Sequence, residues 1–205
     1  MLFIPTEQLY QSDGDEQSEL PPPKLPLRLD AQQIYERQIK PLYSELLDFT
    51  SKMEVADSQQ QQLAAAHMAV SQMMAIVKDS KHLQKNMQLY LQQPQSVLYR
   101  DYLRLRKHLF KTLCLFRRIA NEPAGSNQWQ QEMDNLNKHL AGLETFRGRV
   151  MVKLRNGEID GWQTSSLMND SNYARRIGYG VIEILNIASL ELPQGIGALS
   201  ASESI

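Results

Sequence analysis

The sequence predicts an all-α protein, an antiparallel bundle of about five long helices. Three observations carry this. Apolar residues recur every three to four positions from Asp30 to about Leu190. Capping residues, prolines and glycines punctuate that pattern where helices should start and stop. No alternating run long enough for a strand competes with it.

In the first helical run, Tyr35, Ile39, Leu42, Leu46, Phe49 and Met53 step by four and three residues, which keeps one face apolar. Pro41 lies inside it and is expected to kink or divide it, since proline lacks an N–H and crowds the preceding turn. A second run passes through Leu63, Ala66, Val70, Met73 and Val77, then Leu83, Met87 and Tyr90, before Pro94 ends it. Unbroken over 58–93 it would measure about 54 Å. The third uses Leu98, Tyr102, Leu105, Leu109, Leu113, Phe116 and Ala120 and is closed by Pro123-Ala124-Gly125. The fourth uses Trp129, Met133, Leu136, Leu140, Leu143, Val150 and Leu154 and stops at Asn156-Gly157. The fifth steps through Leu167, Asp170, Ala174, Ile177, Val181, Ile184 and Ala188. Asp30 with Gln33, Asp57 with Gln60 and Asp160 with Gln163 have capping-box spacing, with Asp as the capping acceptor.

Outside this bundle, expected over 30–190, residues 1–29 read as a flexible acidic, proline-rich arm. An arm laid along the bundle through Leu25, Leu27 and Leu29 is the alternative. Residues 191–205 read as a flexible tail rich in Ser, Ala and Gly.

A chain of 205 residues, 42% apolar, is long enough to bury a sizeable core. Its formal net charge of −1 argues against a protein that coats nucleic acid. The single cysteine, Cys114, excludes an internal disulfide and any multi-cysteine zinc site, and implies a reducing compartment. Met1 to Ile4 is too short an apolar run for a signal peptide, and no segment approaches the roughly 20 apolar residues of a membrane-spanning helix.

Catalytic constellations are thin. Gly178-Tyr179-Gly180 falls in mid-helix, where small residues permit close packing rather than phosphate binding. His67, His82, His108 and His139 form no metal pair at helical spacing. Cys114, between Leu113 and Leu115, reads as a small core side chain. No catalytic residue, metal site or cofactor site is expected, and the protein reads as a non-enzyme.

Two features rise above this background. The third helix carries Arg100, Arg104, Lys107 and Lys111 spaced four, three and four, a basic stripe able to meet an anion or an acidic partner. A solvated face opposite the leucine seam is the simpler account of it. The other feature is a polar break in two apolar seams, Asp79-Ser80-Lys81-His82-Leu83-Gln84-Lys85 and Asp170-Ser171-Asn172-Tyr173-Ala174-Arg175-Arg176. The two stretches share a pattern and lie 91 residues apart. A carboxylate in a seam is costly unless it is paired or hydrogen-bonded. Lys81, Lys85, Arg175 and Arg176 are therefore candidate partners, with Asn169 and Asp170 expected to join the fifth helix to the second. On that expectation Asp170→Ala costs about 3–5 kcal/mol if it breaks a buried pair.

The same residues carry a family likeness. Val77 to Met87 with Tyr90-Leu91, and Ser165 to Ala174 with Ile177 after the Gly157-Glu158-Ile159 turn, resemble the soluble C-terminal region of bacterial sodium/phosphate cotransporters. Arg100-Asp101-Tyr102 and Arg106 resemble a basic helix of that family, and the likeness extends from Val77 to Leu190. The family's soluble region is similar to PhoU, a two-repeat helical bundle whose Glu-x-x-x-Asp signatures gather metal ions. Here those positions fall on Lys81 and Lys85, and on Asn172 and Arg176, or on Arg175 and Tyr179 in a shifted register. Amines and guanidiniums are poor metal ligands, so an anion is better matched there.

The resemblance implies a cytosolic regulatory or scaffolding bundle at the inner face of the cell membrane, serving phosphate transport by protein contacts. Its partners would be a transporter membrane domain or a membrane-associated protein, and a second copy of itself. The rival expectation is a free-standing dimeric helical adaptor unrelated to phosphate.

Overall fold

The computed structural model describes Ile4, Leu9, Leu20, residues 31–53 and residues 56–191. Of the arm expected at 1–29 only Ile4, Leu9 and Leu20 are described, and of the tail expected at 191–205 only Glu191; the rest, with the Asp30 cap and Leu25, Leu27 and Leu29, lie outside the described residues. Ile4 packs against the core.

Among the described residues the protein is all-α, with no strand. One helical run comprises α1 (Ala31–Ile34), a π-helical turn (Tyr35–Ile39) and α2 (Lys40–Thr50). Four long helices follow: α3 (Asp57–Leu91), α4 (Tyr99–Asn121), α5 (Asn127–Arg155) and α6 (Gly161–Glu191). Short connections between them set neighbouring helices antiparallel.

Pro41 neither breaks nor ends its helix. The turn before it widens instead, and the Lys40 N–H bonds the Tyr35 carbonyl, five residues back. The wider π turn accommodates a residue that cannot donate to the ordinary ladder. The expected apolar face does not survive this passage. Tyr35 is buried, but Leu42, Phe49 and Met53 are exposed.

The helix ends follow local chemistry. Asp160 and Gln163 form a reciprocal box: Asp160 Oδ1 accepts from the Gln163 N–H at 2.7 Å, and Gln163 Oε1 accepts from the Asp160 N–H at 3.0 Å. Ser126 Oγ caps α5 by accepting from the Trp129 N–H at 3.1 Å. At the other end of α5, Gly157 adopts φ 70°, the Gly157 N–H bonds the Leu154 carbonyl and the Glu158 N–H bonds the Lys153 carbonyl. That is a Schellman ending, which glycine enters without steric cost. At α3 the cap position falls on Ala56, one residue before the expected Asp57, which is the first helical residue; the Asp57 side chain lies outside the described residues.

Two apolar clusters, bridged by Ile76, run along the bundle. One joins Leu83 and Met87 of α3, Tyr102 and Leu105 of α4, Phe146 and Val150 of α5, and Leu167 and Ile177 of α6. The other joins Leu115 and Ile119 of α4, Leu136 and Leu140 of α5, and Val181 and Leu185 of α6. Burying each such side chain is worth about 1.5–3 kcal/mol. Cys114 is buried in the same interior. Helix α6 passes close to two neighbours at once. A Cβ on Gly178 would collide with Leu140 of α5, and one on Gly180 would lie 3.0 Å from Ile76 Cγ1 of α3. The small residues of the Gly178-Tyr179-Gly180 stretch serve close packing, as expected.

Candidate functional site

Helices α3 and α6 cross where the two matching segments lie. As α3 is followed from Asp79 to Asn86, its partners on α6 run backward from Arg176 to Asp170. Arg176 grips Asp79 with two donors, Nε to Oδ2 at 2.7 Å and Nη2 to Oδ1. At the centre the rings of His82 and Tyr173 stack, centroids 5.3 Å apart and planes 17° from parallel. Beyond them Asn86 Nδ2 donates to Asp170 Oδ2 at 3.0 Å and to Ser166 Oγ at 3.2 Å.

This pairing has the form of a local two-fold axis. His82 and Tyr173 hold corresponding places in the two segments, so their stack falls on the axis. Carrying each member of the Asp79–Arg176 pair to its counterpart gives Asp170 and Lys85. The expected mate is therefore an Asp170–Lys85 ion pair. It does not form.

Asp170 is 1% exposed and accepts from neutral donors instead. Tyr102 Oη of α4 donates to Oδ2 at 2.6 Å, alongside the Asn86 amide. Burial pushes the Asp170 carboxyl up to about 6, against the pull of these two hydrogen bonds. The Tyr102 phenol is driven well above its usual range by burial and then by Asp170, so it stays a donor. Tyr90 of α3 stacks on Tyr102 with centroids 4.7 Å apart and fixes its ring. The expectation that a base among Lys81, Lys85, Arg175 and Arg176 compensates Asp170 is corrected; of these, only Arg176 meets a seam aspartate, and it is Asp79. The expected link from the fifth helix to the second does form, through Asp170 and Asn86, while Asn169 stays exposed.

Beside Asp170 the α3–α6 crossing opens into a cleft of about 320 Å³, within the size range of small-ligand sites. His82, Lys85, Asn86, Ser165, Ser166, Asn169, Asp170 and Tyr173 line it, together with Trp162, which is 87% exposed. A larger cleft of about 530 Å³ near Phe116, Trp129 and Ile184 is mostly apolar and gathers no comparable set of polar groups.

The remaining sequence-derived candidates do not converge here. The Lys81 ammonium sits 4.9 Å from the Tyr35 ring centroid, and Arg175 is exposed. Asn172 accepts from Arg147 of α5 at 3.0 Å. On α4, Arg100 and Lys107 are exposed, whereas Arg104 donates to Asp101 at 2.9 Å. Asp101 also holds Lys153 of α5 at 2.6 Å, which ties the two helices together. Lys111 is half-buried near a pair of histidines. The basic stripe is thus divided among structural and solvated roles.

Sequence spacing missed that histidine pair. His108 of α4 and His139 of α5 stack at 4.1 Å, and His139 Nε2 donates to the His108 carbonyl at 3.0 Å. Burial, then His139 and Lys111, push His108 down to about 3, and burial lowers His139 as well. Tyr102, Asn86 and Trp162 were also missed as site residues. Tyr102 and Asn86 sit in recognised apolar runs, but only tertiary pairing reveals their bonds. Among the described residues no group of three or more His, Cys, Asp or Glu side chains is placed to hold a metal ion. No helix among them is long and apolar enough to cross a membrane. No family model, curated protein or solved structure matches the chain.

Proposed function

We propose that this chain is a regulatory or scaffolding bundle that acts through protein contacts, in the manner of the cytosolic PhoU-like region of bacterial sodium/phosphate cotransporters. One observation carries the reading. The two segments that resemble that family are the two that meet, antiparallel, at the His82–Tyr173 stack. A bundle built from two related halves places its matching segments in this way. The role in phosphate transport and the place at the inner face of the membrane rest on the resemblance, which is an argument by analogy. The partner in this reading is the membrane domain of a transporter.

The test is sodium-driven phosphate uptake in cells expressing such a membrane domain, with and without this chain. The expected result is co-purification of the two and a change in uptake. Unchanged uptake and no co-purification overturn the proposal.

The alternative, a free-standing dimeric adaptor, draws on exposed apolar side chains. Leu42 and Phe49 on α2 and Met68 on α3 are more than half exposed. Clusters of such residues mark association surfaces, and a second copy of the chain is the occupant in both readings. Light scattering at tens of micromolar should report a dimer; a monomer alone removes self-association from either account. A dimer without any effect on phosphate uptake favours the adaptor.

A further inference from the structure

The broken symmetry at the α3–α6 crossing leaves a cation without its carboxylate. At the Asp79 end the pair is closed by Arg176. At the other end Asp170 is taken up by Tyr102 and Asn86, and Lys85 is exposed at the cleft with no ion pair or hydrogen bond among the described residues. Asp170 itself is 1% exposed. Both residues line the cleft, but Lys85 is exposed there whereas the Asp170 carboxylate is almost wholly covered, so the ammonium is the more accessible of the two charges. Around it stand the Ser165 hydroxyl and the Asn169 amide, both exposed and able to donate.

We propose that this cleft binds a small free oxyanion, with Lys85 as its counter-charge, Ser165 and Asn169 as hydrogen-bond donors, and Asp170 beneath it making the binding proton-linked. The site stands on this geometry alone and does not depend on the transporter reading. An ammonium with neutral donors is a standard oxyanion receptor, and charge-assisted bonds are its strong component. The proton linkage follows from the floor. Asp170 has no cationic partner, and burial already holds its carboxyl up at about 6. An anion placed nearby disfavours the carboxylate further, so binding takes up a proton and strengthens as pH falls. The titratable groups around Asp170 are Tyr102 of α4, His82, Lys85 and Tyr90 of α3, and Tyr173 of α6. His82 lines the same cleft, so the linkage needs a variant that isolates Asp170.

Sulfate is the first probe, because it does not titrate in the working range, and inorganic phosphate is the second. Binding is read by calorimetry on the full chain, at constant ionic strength, and by Trp162 emission in a Trp129→Phe background. The expected result is saturable binding of roughly millimolar strength or better. Lys85→Ala should weaken it about tenfold or more. Lys107→Ala, which removes a like charge from the exposed side of α4, should change it by less than about twofold. Sulfate affinity should rise severalfold from about pH 7.5 to about pH 5.5, and Asp170→Asn should flatten most of that rise. No saturable binding of either ion at tens of millimolar overturns the site. So does equal weakening by Lys85→Ala and Lys107→Ala, which means general screening. A pH dependence unchanged in Asp170→Asn overturns the linkage.

Discussion

The two ends of the α3–α6 crossing begin from the same residue and arrive at opposite solutions. At one end Asp79, 2% exposed, meets a guanidinium that remains largely in water. A charge is balanced by a charge, and the seam is closed. At the other end Asp170, equally buried, is held by a phenol and an amide. Neutral donors hold a carboxylate in place but do not cancel its charge, and burial raises this carboxyl toward neutrality. The first arrangement joins two helices. The second joins three, since Tyr102 comes from α4, and it leaves Lys85 beside an open cleft. What a buried carboxylate does thus depends on which neighbour reaches it first, and not on the local motif that carries it.

Four substitutions sharpen this contrast. The largest loss is expected for Arg176→Ala, which strands the Asp79 carboxylate in the seam. Breaking a buried pair costs about 3–5 kcal/mol. Because the guanidinium faces solvent, we expect about 2–3 kcal/mol, seen as a lower urea midpoint.

Asp170→Ala should cost less, about 2 kcal/mol, because it leaves two buried donors unsatisfied but also removes a desolvated charge. This revises the figure expected when a base was its presumed partner. An unchanged midpoint would show that the Tyr102 and Asn86 bonds contribute nothing.

Asp170→Asn should act in the other direction, and only at higher pH. The folded pKa of Asp170, about 6, lies above the usual 3.8. Its carboxyl therefore stabilises the fold below about pH 4, and that contribution is lost as pH rises through about 6. The asparagine variant escapes this loss and should be about 1 kcal/mol more stable than wild type at about pH 7, with no advantage near pH 4. His108 has the opposite sign. Its folded value of about 3 lies below 6.5, so stability falls as pH drops from about 6.5 toward 3. In wild type the two slopes oppose each other; in Asp170→Asn the slope from His108, joined by His139, which burial also lowers, should no longer be opposed by Asp170 in urea melts across that range.

The smallest effect is expected from Lys85→Ala, under about 0.5 kcal/mol, since an exposed side chain without a partner holds nothing together. A loss comparable to that of Arg176→Ala would mean that Lys85 does pair with Asp170 in solution, and the two ends would be alike after all.

Much of the architecture was legible in the sequence. Periodicity placed Leu167, Asp170, Ala174 and Ile177 on one face, and all four are buried. It also put Asp79 and Asp170 inward, and the Asp160–Gln163 spacing gave a true capping box. The partners were less legible. Charge complementarity offered Lys81, Lys85, Arg175 and Arg176 as partners for Asp170, but its donor Tyr102 is 68 residues away and gives no local sign of its reach. The His108–His139 stack is likewise a product of helix packing and not of spacing. Spacing alone also misplaced the start of α3 by one residue, since the cap position falls on Ala56 and Asp57 is already helical.

The wide turn before Pro41 amounts to a slip of phase. An α-helix turns about 100° per residue, so one extra residue in a turn rotates all that follows by that angle. A stripe written with a single period across such a slip points one way before it and another way after it. Tyr35 is turned inward, while Leu42 and Phe49 are turned to the outside. Deleting one residue from Tyr35–Ile39 would restore the phase and swing the Lys40–Thr50 segment back by about 100°, but it would also drive the Pro41 ring into a carbonyl four residues earlier. The slip and the proline belong together, and between them they decide which side of this segment the rest of the molecule sees.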